Sequence, residues 1–343
     1  MNEIFTKTYT LLEPDTYIYI AWGGFLVLTA LVVLLWRYGK RKWIKWATTA
    51  PLLFLWLVFL YGTYVGSNEL KVRHIELTFE DLPETFDGYK IVQFTDAHVG
   101  TLVNHGEGMV QQLIDSINGQ APDMIVFTGD MQNIQPQELI PPMMTFRQLF
   151  AHDGVYAVLG NHDYDVYQNC DDAEKRCNCQ LTQDIIRKMG FDLLLNEHRI
   201  IHRDSDSIVV AGMENWGVAD RAPKKGDVDK TLTGLNLSSQ SLTHLGEVGG
   251  GFPFVLMLQH DPTCWREKIL PECNAQLTLS GHTHGGQFSL FGWSPVALAY
   301  QEWEGMTYEG SRAIYVSAGA GSLIPFRLNQ PREITVITLK RKQ

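Results

Sequence analysis

The chain has 343 residues, 45% of them hydrophobic and 19% charged, with a formal net charge of −10. Residues 1 to 66 hold six Lys and Arg and three Asp and Glu, which leaves 22 against 35 beyond them, a net of −13. Acidity of that order argues against a general binder of nucleic-acid backbones. In chain order, the first features are two apolar stretches, Tyr17 to Trp36 and Ala47 to Gly66, each twenty residues long without a formal charge. As helices each spans about 30 Å of hydrocarbon. Trp22, Trp36, Trp43, Trp46 and Tyr64 stand near their ends, where aromatic rings favour the membrane interface. A buried hairpin in a soluble core is the alternative, but two adjacent uncharged runs in a chain of otherwise ordinary composition favour membrane spans.

The connector between the spans carries Arg37, Lys40, Arg41, Lys42 and Lys45 and no acidic residue. The positive-inside rule therefore puts the connector in the cytoplasm and both the N-terminus and residues 67–343 outside. The expected location is a cell (inner) membrane crossed twice, with the bilayer itself as a partner. No signal peptide is expected, because the N-terminus lacks a basic start and the apolar stretch begins only near residue 17.

Beyond the spans, short and largely apolar runs of the kind that buried strands use recur at Ile91–Phe94, Met124–Phe127, Tyr156–Leu159, Phe254–Leu258 and Leu277–Leu279. Helical apolar spacing lies between them, as in Met109 to Ile117 and Leu181 to Met189, so the pattern is strand, polar tip, helix. The polar tips are Asp96-Ala97-His98, Gly129-Asp130, Gly160-Asn161-His162-Asp163, His260 and Gly281-His282-Thr283-His284-Gly285-Gly286. Sheets of this class bind ligands at the carboxyl ends of their strands, so distant donors can meet there.

Together the tips supply two Asp, one Asn and four His as oxygen and nitrogen donors for a pair of divalent cations, with one His left over. Period-two alternation at the end of an extended strand would send Asp96 and His98 to one face, and His282 and His284 share that spacing. Asp130 has two oxygens and can bridge two ions. Asn161 offers a neutral carbonyl oxygen. Each tip alone also reads as an ordinary turn; it is their joint occurrence, each at a strand end, that points to metal.

This ordered set resembles the calcineurin-like metallophosphoesterase superfamily over roughly residues 75 to 340. The run 280–287 and the C-terminal Tyr315 to Gly319, Pro325 and Glu333 to Thr335 are similar to its bacterial membrane-associated branch. The resemblance implies a four-layer α/β/β/α sandwich over 67–343, preceded by the transmembrane hairpin of 1–66. It also implies a first ion on Asp96, His98, Asp130 and His284 and a second on Asp130, Asn161, His260 and His282. Mn, Fe, Zn or Mg suits such mixed ligation. His162 would then face the substrate and act on the leaving oxygen, with Asp163 orienting it or capping a helix.

The implied reaction is hydrolysis of a phosphodiester, phosphomonoester or pyrophosphate, with no phospho-enzyme. A tether of this kind suits a lipid-linked substrate. One alternative is the UDP-2,3-diacylglucosamine step of lipid A synthesis, although enzymes of that step tend to have Arg where this chain has His162. Another is a membrane-anchored pseudoenzyme that only binds, against which the full donor set speaks.

Five cysteines stand at 170, 177, 179, 264 and 273. An outward-facing domain allows up to two disulfides, tethering the polar loop that holds Cys170, Cys177 and Cys179 near the Cys264 segment, and Cys-x-Cys allows a third metal site. Gly249–Gly251 and Gly319-Ala320-Gly321 lack the Lys and Ser/Thr of a phosphate loop and read as turns. Trp216, Trp265, Phe288, Phe291, Trp293, Trp303 and Phe326 read as core or rim packing, some of them as an apolar lip for a lipid.

Overall fold

The computed structural model describes residues 14–104, 108–235 and 253–342; the Gly249–Gly251 turn lies outside them. Two long helices come first, α1 (Pro14–Tyr38) and α2 (Lys42–Tyr64), joined by Gly39, Lys40 and Arg41. α1 runs past its uncharged stretch at both ends, because a charge ends a hydrocarbon span without ending a helix, while α2 begins earlier than its stretch, at Lys42, and stops at Tyr64, two residues short of Gly66. The stretches Thr16–Tyr38 and Lys42–Asn68 are long and apolar enough to cross a bilayer. Trp22 and Phe25 of α1 pack on Trp56 and Phe59 of α2 with ring centroids 4.8 to 5.6 Å apart. Trp56 Nε1 donates to Thr29 Oγ1 at 3.0 Å, which gives the indole N–H a partner that lipid would not supply. The remaining faces expose Leu26, Val33, Phe54 and Leu57, the kind of surface a bilayer covers.

After α2 the chain turns through Val65 to Glu69 and enters the first of two six-stranded sheets. Its strands lie in the order β1 (Leu70–Phe79), β12 (Arg332–Arg341), β2 (Lys90–Phe94), β3 (Met124–Phe127), β4 (Val155–Ala157) and β5 (Asp192–Leu193). All pairs are parallel except β12 with β2. The second sheet runs β10 (Gly305–Glu309), β11 (Arg312–Val316), β9 (Leu277–Ser280), β8 (Phe254–Leu258), β7 (Asp206–Gly212) and β6 (Glu197–Arg203), antiparallel at both edges and parallel within.

Three cores stack these parts into four layers. Between the sheets, Ile91, Met124, Val126 and Val158 meet Val210, Leu256, Leu258 and Leu279. On the outer face of the first sheet, Phe94 and Phe127 pack against Leu102 of α3 (Val99–Asn104), Leu113 and Ile117 of α4 (Gly108–Asn118), Phe146 of α5 (Met143–Phe146) and Ile186 of α6 (Asp172–Lys188). On the outer face of the second, Val209, Val255 and Met257 pack against Val228 of α7 (Val228–Thr231) and against Trp265 and Ile269. Strands buried on both faces have no polar side to show, which is why their sequences are continuous apolar runs. This is the α/β/β/α sandwich that the resemblance implies, with the helical hairpin ahead of it.

Two expectations change. The polar stretch holding Cys177 and Cys179 is the first half of α6, not a loop: Asp171 caps it by accepting from the backbone N–H of Ala173 and Glu174, and acidic residues fill its first turn. All five cysteines are free, so the expected disulfide tether is not formed. Cys264 and Cys273 are buried beneath the second sheet as small apolar side chains.

Candidate metal centre

The carboxyl ends of β2, β3 and β4 in one sheet and of β8 and β9 in the other meet at one edge of the sandwich. Hydrogen bonds join the sheets there. Gln93 Nε2 donates to the Ser280 carbonyl at 2.9 Å, and the His260 Nδ1–H reaches the Thr128 carbonyl at 2.8 Å. The second bond also fixes the His260 ring, leaving Nε2 toward the centre.

Three groups of side chains at this edge could each hold a cation: Asp96, His98 and His284; His98, Asp130 and His162; and Asp130, His260 and His282. His98 Nε2 and His284 Nε2 face each other at 3.0 Å, with Asp96 Oδ1 3.4 Å from the latter. Asp130 Oδ2 stands between the groups, 3.7 Å from His98 Nε2 and 3.2 Å from His260 Nε2. Asn161 Oδ1 lies 3.1 Å from His260 Nε2, and the same His260 atom is 3.2 Å from His282 Nδ1. All seven expected ligands are therefore brought together, and His162 stands beside them with Nε2 4.0 Å from Asp130 Oδ2.

The way they converge differs from strand alternation. Pairing of β2 stops at Phe94, and Asp96, His98, Asp130, His282 and His284 all have positive φ, at 51°, 39°, 61°, 74° and 54°. Left-handed backbone at non-glycine residues costs roughly 1–2 kcal/mol each, so the edge holds strain that the surrounding packing must sustain. Tertiary hydrogen bonds do so: the Asp96 and His98 N–H groups donate to the carbonyls of Gly129 and Asp130, and the N–H groups of Ala320 and Gly321 donate to those of Thr95 and Asp96. Gly319 to Gly321 is thus a turn, as expected, and it backs the Asp96 loop. Gly281 is needed for close approach, since a Cβ there would lie 2.2 Å from Asp96 Oδ2.

His162 and Asp163 play different parts from one another. The His162 Nδ1–H donates to the Asn133 carbonyl at 2.6 Å, and the ring packs on Tyr167 with centroids 4.4 Å apart. It is Asn133 and not Asp163 that orients the imidazole. The Asp163 carboxylate instead accepts four backbone N–H groups, from Asp130, Met131, Gln132 and Gly160, at 2.9 to 3.2 Å. It latches the Gly-Asp loop to the Gly-Asn-His-Asp loop and caps no helix.

Two tyrosines were invisible in the sequence. Tyr167 Oη accepts from Asn161 Nδ2 at 2.8 Å and so turns the amide oxygen toward His260. Tyr300 Oη lies 2.8 Å from His282 Nε2, leaving Nδ1 for the centre. Neither carries a signature that separates it from an ordinary rim aromatic.

His98, His284 and Asp130 carry the charge states that a cation needs, whereas burial is overcome at His260, which Asp130 and Asp96 hold up at about 10. Burial pushes His98 down to about 3, aided by His162, and pushes His284 down as well, so both imidazoles are neutral with lone pairs to offer. Burial opposes the Asp130 charge, but His260 above all, then His162 and His98, holds its carboxyl well below the usual range. Burial and Asp130 push Asp163 up to about 7, against the pull of the Gly160 and Gln132 N–H donors.

The calcineurin-like phosphoesterase family matches residues 89–286, more than half of the chain and every donor above. The chain belongs to that family. This metallophosphoesterase is 28% identical over 302 residues to the transmembrane protein with metallophosphoesterase domain of Danio rerio, covering 86% of this chain and 63% of that one, so it spans less than two thirds of that relative. It is 29% identical to the metallophosphoesterase YkuE of Bacillus subtilis, over 82% of this chain and 89% of the relative. A metallophosphoesterase of Aquifex aeolicus is 28% identical, over 84% of this chain and 99% of its own length. The family is typically dinuclear and metal-dependent, which agrees with the clustered donors, and the relative named as transmembrane agrees with the apolar helices.

Proposed function

We propose that this metallophosphoesterase holds two divalent cations and hydrolyses a phosphate ester or pyrophosphate of a lipid-linked molecule at the membrane surface. The carrying observation is the placement of Asp130 between two donor groups, each drawn from both sheets. Asp96, His98, Asp130 and His284 would hold one cation and Asp130, Asn161, His260 and His282 the other. The fit is good in charge as well as geometry. Two carboxylates leave two divalent cations with a net positive charge, which an anionic phosphate completes. Bound cations of this kind polarise phosphoryl oxygens and lower the pKa of water.

The chain's own residues supply the rest. Asn133 fixes the His162 ring so that Nε2 is presented to the leaving oxygen. Burial lowers the His162 pKa, with Asp130 pulling the other way. In this reading His162 Nε2 is the group that gives a proton to the leaving oxygen. Tyr167 and Tyr300 hold Asn161 and His282 in the orientations that present a donor atom inward.

The lipid-linked class rests on the two apolar helices, which confine the centre to the layer where such molecules are concentrated. The connector's basic residues favour an outward-facing catalytic domain. Two measurements test these points. The full chain in lipid vesicles with added Mn should turn over an aryl phosphodiester, and failure at every divalent metal tried sinks the enzyme reading. A membrane-impermeant thiol reagent on intact cells, or on spheroplasts where an outer membrane intervenes, should label Cys177, which is exposed on α6. Labelling only after the inner membrane is lysed would put the domain in the cytoplasm.

A further inference from the structure

Between His284 and Glu302 the chain carries no charged residue, yet much of this stretch is on the surface. Its projecting part is a tight hairpin in which Leu290 and Trp293 exchange both backbone hydrogen bonds, at 2.8 and 3.1 Å. The two central residues, Phe291 and Gly292, have φ of 53° and 79°. Such a turn ordinarily takes Asn, Asp or Gly at both places. Here one is a phenylalanine, 99% exposed, flanked by half-exposed Leu290 and Trp293, while Leu298 on the next turn is 82% exposed. Water does not reward a side chain of this kind at a left-handed turn tip.

The hairpin is tied to the end of α2. The Ser289 N–H donates to the Leu328 carbonyl, the Leu328 N–H to the Gln287 carbonyl, and Asn329 Nδ2 to the Ser289 carbonyl, all at 2.9 to 3.0 Å. One residue earlier, the Arg327 N–H donates to the Gly62 carbonyl at 3.0 Å. The Phe326 ring lies stacked near Phe59 at 6.4 Å and fills the space beside Gly62, where a Cβ would come within 2.3 Å of it. A strand advances roughly 3.3 Å per residue, so Phe291 stands only about 7 Å along the chain from a residue bonded to this seal. Tyr61 and Tyr64, in the same last turn of α2, are exposed as interfacial aromatics are.

We infer that the Leu290–Trp293 tip, with Leu298 beside it, dips into the head-group layer of the bilayer that α1 and α2 cross, forming a third membrane contact next to the metal centre. The inference stands on the membrane hairpin and does not depend on the reaction. Spin labelling tests it in the full chain, with Cys170→Ser, Cys177→Ser and Cys179→Ser as background, in vesicles of phosphatidylcholine and phosphatidylglycerol. A label at Phe291→Cys should relax faster with oxygen than with a water-soluble nickel chelate, as a label at Leu55→Cys in α2 does. A label at Tyr308→Cys, on an exposed strand edge, should show the reverse. Leu298→Cys carries the same test on a second, separately seated side chain. An aqueous reading at 291 overturns the inference, and so does shielding from both relaxants, which would mean that a second copy of the chain covers the tip.

Discussion

Replacing Gly281 by Ala adds one methyl group to the surface of the candidate metal centre. That Cβ would lie 2.2 Å from both Asp96 Oδ2 and Thr95 Oγ1, where ordinary contact begins near 3.4 Å. The Asp96 carboxylate must therefore retreat by about 1 Å, an amount that costs on the order of a hundredfold in rate when it displaces a reacting or ligating group. Its two hydrogen bonds from the His282 N–H, at 3.1 and 2.9 Å, would be strained at the same time. Overpacking of a buried site adds about 1–3 kcal/mol of instability. Gly108→Ala is the control, since nothing lies within 4 Å of its added Cβ. After dialysis, elemental analysis should find Gly281→Ala short of one ion per chain. Turnover of an aryl phosphodiester should need roughly ten- to a hundredfold more Mn for half-maximal rate. Wild-type metal content together with a rate within twofold of wild type would refute the claim that Asp96 is held by contact with this glycine.

Three further outcomes are expected. Asp130→Asn should fold but hold fewer than two ions and lose activity, as elemental analysis and turnover will show, because an amide cannot offer two anionic oxygens to two cations. His162→Ala should keep both ions while turnover falls by roughly a hundredfold or more, less for leaving groups that need no proton; loss of an ion would make His162 a ligand. Asp163→Ala should lower the melting temperature before it touches chemistry, since four buried N–H groups lose their acceptor and each unsatisfied group costs about 1–3 kcal/mol; unchanged stability would refute the latch.

The donors were legible because each sits two to five residues past a short apolar run of the kind that buried strands use. Their approach was not. Alternation presumes extended backbone, and the left-handed residues at 96, 98, 282 and 284 are dictated by neighbours far along the chain, Gly129 and Ala320 among them. The orienting partner of His162 is a backbone carbonyl, which has no sequence signal at all, so the adjacent Asp163 drew the role instead. The first half of α6 was hidden by its polarity, though Asp171 with acidic residues behind it is a readable start. The disulfide expectation came from the compartment, and burial of Cys264 and Cys273 beneath the second sheet overrode it.

Only Val65 to Glu69 separate the last turn of α2 from β1, and that short passage is itself held, with Arg332 bonded to the carbonyls of Asn68 and Glu69. From there β1 runs in register with β12 for ten residue pairs. A catalytic body on a loose leash samples a hemisphere of heights and tilts, and its substrate must find it in three dimensions. A body welded to its membrane helix keeps one height and one tilt, so the search for a membrane-borne substrate shrinks to sliding in a plane. For the lipid-linked substrate proposed above, the same weld sets a reach: a phosphate group buried too deep in the layer, or carried too far above it, would meet a centre that cannot lean to accommodate it.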